Sequence, residues 1–234
     1  VSRLNRTVRC YELHKQPGNN ISTILQLRRV IRESGANIVH TRNWGAFDGV
    51  LAASLCPGIK LLHGEHGRDI TDPQGSNRRR NVLRRFCSPR IQKFITVSKD
   101  LARWLSQDVQ VSKNKIVLIR NGVDTARFYP HRDPQLRKEL GLADDAFVVG
   151  TIGRLDPVKN HKGLIQAFAG LAKENQTARL IIVGDGPERQ NLENLIQGLG
   201  LGPWVILTGY RSDIQRFYGL FDAFVLNSFA EGMS

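Results

Sequence analysis

The clearest chemistry in this chain is a pair of cations standing between a strand and a helix. Phe147–Ile152 reads as a strand rich in Val and Ile, and it closes on Gly153-Arg154-Leu155-Asp156-Pro157-Val158-Lys159-Asn160 before an amphipathic segment opens. A guanidinium grips two phosphate oxygens as a fork, an ammonium adds a mobile point charge, and the first turn of a helix offers backbone N–H groups without internal partners. Arg154 and Lys159 are therefore candidates for holding a phosphorylated ligand, with Gly153 allowing the turn; a solvated basic turn is the competing reading. Further on, Ser228-Phe229-Ala230-Glu231-Gly232 supplies a carboxylate. One carboxylate and two cations suit a ligand that carries a diphosphate together with several hydroxyl groups.

Other motifs are less specific. Val183-Gly184-Asp185-Gly186-Pro187-Glu188 is a strand end, a glycine turn and a proline near the first helical position. It lacks the third glycine of a dinucleotide fingerprint and the G-x-x-x-x-G-K-[ST] of a P-loop, so a tight strand-to-helix turn is expected. His63-Gly64-Glu65-His66-Gly67-Arg68-Asp69 follows another strand. There Glu65 or His66 could hold an acceptor hydroxyl or assist a proton, although the residues alone favour a loop histidine satisfied by its neighbours. His63 and His66 are too few for zinc. Ser98 reads as a helix N-cap and lacks the G-x-S-x-G turn of a nucleophile. No D-x-D pair occurs, so negative charge on a diphosphate would be met by Arg154, Lys159 and helix dipoles rather than by a carboxylate-held metal.

The elements that must position these residues follow from periodicity. Short Val/Ile-rich runs alternate with amphipathic segments, the pattern of a parallel sheet covered on both faces. Strands are expected near Arg9–Leu13, Asn37–Thr41, Lys60–Gly64, Lys93–Val97, Ile116–Arg120, Phe147–Ile152, Arg179–Val183, Val205–Thr208 and Ala223–Leu226. Helices are expected near Ile21–Ser34, Ala46–Leu55, Asn77–Phe86, Lys99–Asp108, Pro134–Leu140, Lys162–Glu174, Glu188–Leu199 and Ile214–Leu220. A polar segment from Thr125 to Asp145 breaks the rhythm and marks a boundary between domains over residues 1–130 and 131–234. At 234 residues, with 41% hydrophobic and 24% charged positions, two globular domains fit and disorder does not.

A net charge of +13 favours anionic partners. Arg78, Arg79, Arg80, Arg84 and Arg85 share one expected helix with Val82, Leu83 and Phe86, which reads as a solvated face or as a patch for an anionic membrane surface. Nucleic acid is not expected, because the cations are not interleaved with stacking aromatics. Three cysteines without C-x-x-C spacing suggest neither a disulfide framework nor zinc, and fit a reducing, cytoplasmic setting. No apolar run approaches the roughly 20 residues that span a bilayer, so association with the inner face of the plasma membrane would be peripheral.

In order along the chain, His63-Gly-Glu-His-Gly, Val97-Ser98-Lys-Asp-Leu, Asn121-Gly122-Val123-Asp124 with Phe128 and Pro130, Gly153-Arg154 with Lys159-Asn160, Val183-Gly-Asp-Gly-Pro187, Gly209-Tyr210 with Asp213-Ile214, and Ser228-Phe-Ala-Glu231-Gly232 resemble the retaining glycosyltransferases of family 4, the group 1 sugar transferases. The run from His63 to Asp69 followed by Gly75-Ser-Asn-Arg-Arg looks like a bacterial branch tied to exopolysaccharide assembly. The resemblance implies an α/β GT-B fold of two facing Rossmann-like parallel-sheet domains, an acceptor-side first domain and a nucleotide-sugar-binding second. It implies transfer from a nucleoside diphosphate sugar, a co-substrate rather than a cofactor, to a lipid-linked or polysaccharide hydroxyl without metal. Arg154 and Lys159 match the pair that neutralises the diphosphate; Glu231 matches the first glutamate of E-x7-E; Gly232 and Met233 match the turn whose amides approach the donor. His66 corresponds to the cleft histidine near the transferred sugar, and Tyr210 stands where relatives hold the base. By the same resemblance the first glycine-rich loop and the second glutamate are expected outside this sequence. A sugar-nucleotide epimerase of the same shape and a non-catalytic polyanion-binding module are the rival readings.

Overall fold

A computed structural model of the protein describes residues 8–15, 20–69 and 71–232. Two compact units divide after Asn121. The first holds α1 (Ile21–Glu33), β1 (Ile38–Arg42), α2 (Phe47–Ser54), β2 (Lys60–Glu65), α3 (Arg78–Cys87), β3 (Ile91–Thr96), α4 (Lys99–Gln107) and β4 (Ile116–Leu118). Its strands lie in the order β1-β2-β3-β4 and every pairing is parallel. Short polar side chains start the helices: Asn20 Oδ1 accepts from the Ser22 amide, Asn77 Oδ1 from Arg80, and Ser98 Oγ from Leu101. α4 shows the logic of the pattern, since Leu101, Trp104 and Leu105 recur at helical spacing and are the residues it buries. They meet Leu61, Ile91 and Phe94 from the sheet, with the free thiols of Cys56 and Cys87 in the same core.

The second unit holds α5 (Pro134–Glu139), β5 (Val148–Ile152), α6 (His161–Glu174), β6 (Arg179–Val183), α7 (Arg189–Gly198), β7 (Val205–Leu207), α8 (Ile214–Tyr218) and β8 (Ala223–Phe224). Its sheet runs β7-β6-β5-β8, again parallel throughout. Side chains alternate across a strand, and here both faces are covered. Val149, Leu180 and Ile182 pack under α6 and α7 with Leu164, Phe168 and Leu192, while Val148, Ile181 and Val183 face Leu136 and Phe217 on the other side.

The expected helices all form, with ends shifted by one or two residues. The expected strand at Arg9–Leu13 does not: residues 8–15 are exposed except for a half-buried Leu13 and belong to neither sheet, and a strand without a partner leaves its backbone to water. Eight strands are present among the described residues. The units also part earlier than the 130/131 boundary read from composition. Gly122–Ala230 group as the second unit, where the Arg127 guanidinium donates to the Ser212 carbonyl at 3.0 Å and to Gln215 Oε1 at 3.0 Å. Among the described residues no helix is long and apolar enough to cross a membrane.

Candidate functional site

The carboxyl ends of β5, β6, β7 and β8 lie side by side in the second unit, the usual place for ligands in open α/β sheets. Gly153 follows β5 and donates to the Val183 carbonyl at 2.9 Å. The Leu155 amide donates to the Asp185 carbonyl at 3.0 Å, and Leu155 returns its own carbonyl to the Glu188 amide at 3.0 Å. The Gly-Asp-Gly-Pro turn thus holds the cationic loop rather than merely flanking it. Gly184, at φ 144°, approaches so closely that a Cβ there would run into the Gly153 carbonyl. On the far side the Gly184 amide donates to the Gly209 carbonyl at 3.0 Å, tying in the loop after β7.

Within this frame Arg154 is exposed, its side chain 71% accessible, with Asp156 Oδ2 3.9 Å from its Nε. Lys159 folds its aliphatic stem back over Gly153, so both cations are carried by one short loop. Asp156 Oδ1 accepts from the Val158 amide and opens the single turn Pro157–Lys159. Asn160 then adopts a left-handed conformation, φ 53°, and its Oδ1 accepts from the Gly163 amide to start α6. The same Asn160 is laced to the segment after β8: its carbonyl accepts from Asn227 Nδ2 at 3.0 Å, and its Nδ2 donates to the Asn227 carbonyl at 3.4 Å. The Phe229 amide donates to Val158 at 2.8 Å. Residues 227–229, which lead into Glu231, therefore run alongside the cationic loop.

Behind the loop lies a residue that sequence reasoning passed over. His161 is 4% exposed, and its Nε2 donates to the Arg154 carbonyl at 3.3 Å. Burial, aided by the nearby Lys159 charge and opposed by the Arg154 carbonyl, pulls its pKa below the ordinary value, so the ring is neutral and braces the loop without adding charge. Its spacing to Leu164, Ile165 and Phe168 was the available signal, since i, i+3, i+4 and i+7 share one face. Tyr210 follows Gly209 and is 61% exposed, separated from the cationic loop by the Gly-Asp-Gly-Pro turn. Glu231 is exposed, and Met233 falls outside the described residues. Gly232 groups with the first unit, where it lies against Gly67.

In the first unit, the His63–Asp69 run carries the last residues of β2, His63 to Glu65, into a loop beside a buried polar network. Glu65 is 1% exposed and accepts from Arg84 Nε at 2.7 Å and from His63 Nε2 at 3.1 Å. A carboxylate can only accept, so His63 carries its proton on Nε2 and turns Nδ1 toward the Thr41 hydroxyl at 2.7 Å. Burial acts to raise the Glu65 pKa, but the His63 hydrogen bond and the Arg84 charge outweigh it and hold the carboxyl below its usual range. Arg84 itself lies over the rings of Trp44 and Trp104, at 4.9 and 5.0 Å. Glu65 is therefore internal wiring, not the acceptor-side group its place beside His66 suggested. His66 is partly exposed, and its amide donates to Asn43 Oδ1 at 2.7 Å. Burial, with the charges of Arg42 and His40, lowers its pKa, which keeps the imidazole neutral.

The arginine helix also divides. Arg84 is buried, and Arg80 pairs with Asp69 at 3.4 Å and lies over Trp44 at 5.1 Å. Neither is available to a membrane, because both hold the His63–Asp69 loop in place. Arg78, Arg79 and Arg85 remain exposed.

Comparison with known proteins gives this geometry its context. The Glycosyltransferase Family 4 profile matches residues 3–127, and Glycosyl transferases group 1 matches residues 132–234. N-acetyl-alpha-D-glucosaminyl L-malate synthase of Bacillus anthracis is 26% identical over 227 residues, covering 95% of this chain and 58% of that protein. UDP-Gal:alpha-D-GlcNAc-diphosphoundecaprenol alpha-1,3-galactosyltransferase of Escherichia coli is 28% identical over 226 residues, covering 92% and 57% respectively. The chain thus spans less than two thirds of these relatives. The crystal structure of Anabaena HepE in complex with UDP-glucose superposes with a TM-score of 0.73 at 24% identity, over 88% of this chain and 56% of that one. With two parallel α/β units of the GT-B class and a family profile over more than half its length, the chain belongs to glycosyltransferase family 4.

Proposed function

We propose that the whole protein is a retaining glycosyltransferase that moves a sugar from a nucleoside diphosphate sugar to a hydroxyl of a lipid-linked or polysaccharide acceptor in cell-surface polysaccharide synthesis. The observation that carries the reading is the loop from Gly153 to Asn160, where two cations are braced on one side by the turn after β6 and on the other by the segment after β8. Preorganised positive charge is most effective where negative charge develops, and here that charge appears on the departing diphosphate. Arg154 and Lys159 neutralise it in place of a carboxylate-held metal ion. The bond from the anomeric carbon to the diphosphate oxygen breaks while that carbon bonds the acceptor oxygen on the same face. The acceptor proton passes to the departing diphosphate oxygen, so charge and atoms balance without a covalent enzyme intermediate.

His66, neutral near physiological pH, presents a hydrogen-bonding imidazole to the transferred sugar. Glu231, Gly232 and Met233 contribute to the donor site, Glu231 with a carboxylate for the sugar or ribose hydroxyls, and Tyr210 flanks the base. The acceptor named for the Escherichia coli relative, GlcNAc on diphosphoundecaprenol, supports a lipid-linked acceptor. Release of nucleoside diphosphate by the whole protein tests the reading. Arg154→Ala and Lys159→Ala should each lower kcat/KM by about 100- to 1,000-fold, as expected for removing one preorganised electrostatic partner. Undiminished turnover in both variants, or inversion at the transferred anomeric carbon, overturns it.

A further inference from the structure

Two uncharged neighbours decide where His66 stands. β1 and β2 run parallel, with Arg42 opposite Gly64. In such a ladder every second residue of one strand bonds on both sides: its amide donates to a carbonyl of the partner strand, and its carbonyl accepts from the amide two residues further along that strand. Asn37 and Asn43 fall on these bonding positions. The Lys60 amide donates to the Asn37 carbonyl at 2.9 Å, and the Asn43 amide donates to the Gly64 carbonyl at 2.7 Å. The next regular bond would join the His66 amide to the Asn43 carbonyl. It runs instead to Asn43 Oδ1, at 2.7 Å.

The backbone of Asn43 is the reason. At φ 56° and ψ 176° it stands close to a region that glycine alone enters without strain. The chain leaves the sheet there and swings into the single turn Trp44–Ala46, stacking Trp44 on Phe47 with ring centres 5.0 Å apart. A glycine would adopt this conformation freely, so the asparagine is explained by what its side chain does. Among the described residues that is one hydrogen bond, to the His66 amide.

The ring is governed from another side. Gly64 is buried and its φ is not positive, so its backbone conformation does not itself demand glycine. A Cβ there would stand 2.9 Å from His66 Nε2 and 3.1 Å from His66 Cδ2, so the imidazole occupies the place a side chain would take.

We propose that Asn43 and Gly64 are positioning residues for His66, Asn43 holding its amide in place of a ladder carbonyl and Gly64 leaving bare the surface on which the imidazole lies. This rests on the transferase reading, in which that imidazole meets the transferred sugar. Both residues act through His66, where a displacement of about 1 Å can cost about 100-fold in rate.

Nucleoside diphosphate release by the whole protein, measured beside thermal unfolding, is the test. Asn43→Gly relieves the backbone and removes the acceptor oxygen: kcat should fall about 10- to 100-fold, with KM for the sugar nucleotide little changed and the thermal midpoint close to the parent's. Asn43→Asp keeps an acceptor at Oδ1 and should recover most of that loss. Gly64→Ala should lower kcat by a similar factor, because its Cβ meets the movable end of a side chain and displaces the ring rather than the fold. In a His66→Ala background neither change should lower kcat further, an outcome that a merely structural role does not give. Parent-like kcat in both single variants, losses that add to that of His66→Ala, or a fall in midpoint large enough to account for the lost activity overturns the inference. Substrate-free NMR of the isotope-labelled protein separates it from the reading beneath it. The His66 amide resonance should move in Asn43→Gly and return in Asn43→Asp, and the imidazole resonances should move in Gly64→Ala. Unmoved resonances overturn the positioning roles whatever the parent turns over; moved resonances in a parent without turnover remove the transferase reading alone.

Discussion

Replacing Arg84 by Met isolates the energetic role of the network under the His63–Asp69 loop. Met has comparable length and keeps the apolar stem between Trp44 and Trp104, so packing changes little. What is lost is the partner of a carboxylate that is 1% exposed. Removing one member of a buried pair costs about 3–5 kcal/mol, because the remaining charge stays desolvated. For a unit of this size, that lowers the first unit's midpoint by more than about 10 °C. The pH dependence gives the sign. Glu65 has a folded pKa below its ordinary value, so its contribution is present above the unfolded pKa and disappears as pH falls through the folded one. In Arg84→Met, burial is less opposed and the carboxyl takes up its proton more readily. The cost relative to the parent is therefore largest near neutrality and shrinks in acid. Urea unfolding followed by circular dichroism at neutral and acid pH measures both, and adding Glu65→Gln to the variant should recover about 1–3 kcal/mol by removing the stranded charge. A loss within about 1 kcal/mol at neutral pH, or one that is independent of pH, refutes the reasoning.

Other outcomes follow from the second unit. Gly184→Ala places a Cβ against the Gly153 carbonyl and should cost about 2 kcal/mol or more in urea unfolding while weakening any ligand of the cationic loop. Asn160→Ala removes the α6 cap, the side-chain bond to the Asn227 carbonyl and the tolerance for left-handed backbone together, for a loss of about 2–3 kcal/mol, while the backbone carbonyl still accepts from Asn227; Asn160→Gly restores only the backbone freedom and should recover part of it.

Much of the architecture was legible because parallel strands buried on both faces write themselves as apolar runs, and β5 and β6 appear at the expected places. Arg9–Leu13 had the composition of a strand but no neighbour among the described residues to complete its ladder, which composition cannot reveal. At the site, Arg154 and Lys159 were visible because a cation-bearing turn follows a confident strand. The Gly-Asp-Gly-Pro turn was visible too, but its close approach to Gly153 depends on how two adjacent strands end. The split of the arginine helix was hidden for a similar reason. Arg84 and Glu65 lie 19 positions apart, and which arginines point inward depends on where α3 settles against β2.

The distribution of sulfur gives the molecule a built-in reporter. Cys10, Cys56 and Cys87 are the chain's three cysteines, and all precede Asn121. Cys10 is exposed, Cys56 and Cys87 are shielded, and burial pushes the Cys87 thiol up in pKa, further from the reactive thiolate. An alkylating reagent should therefore label one position at once and the other two only as fast as their surroundings breathe. Because the later half of the chain has no thiol, that slow labelling clocks the opening of one half of the molecule without any signal from the other.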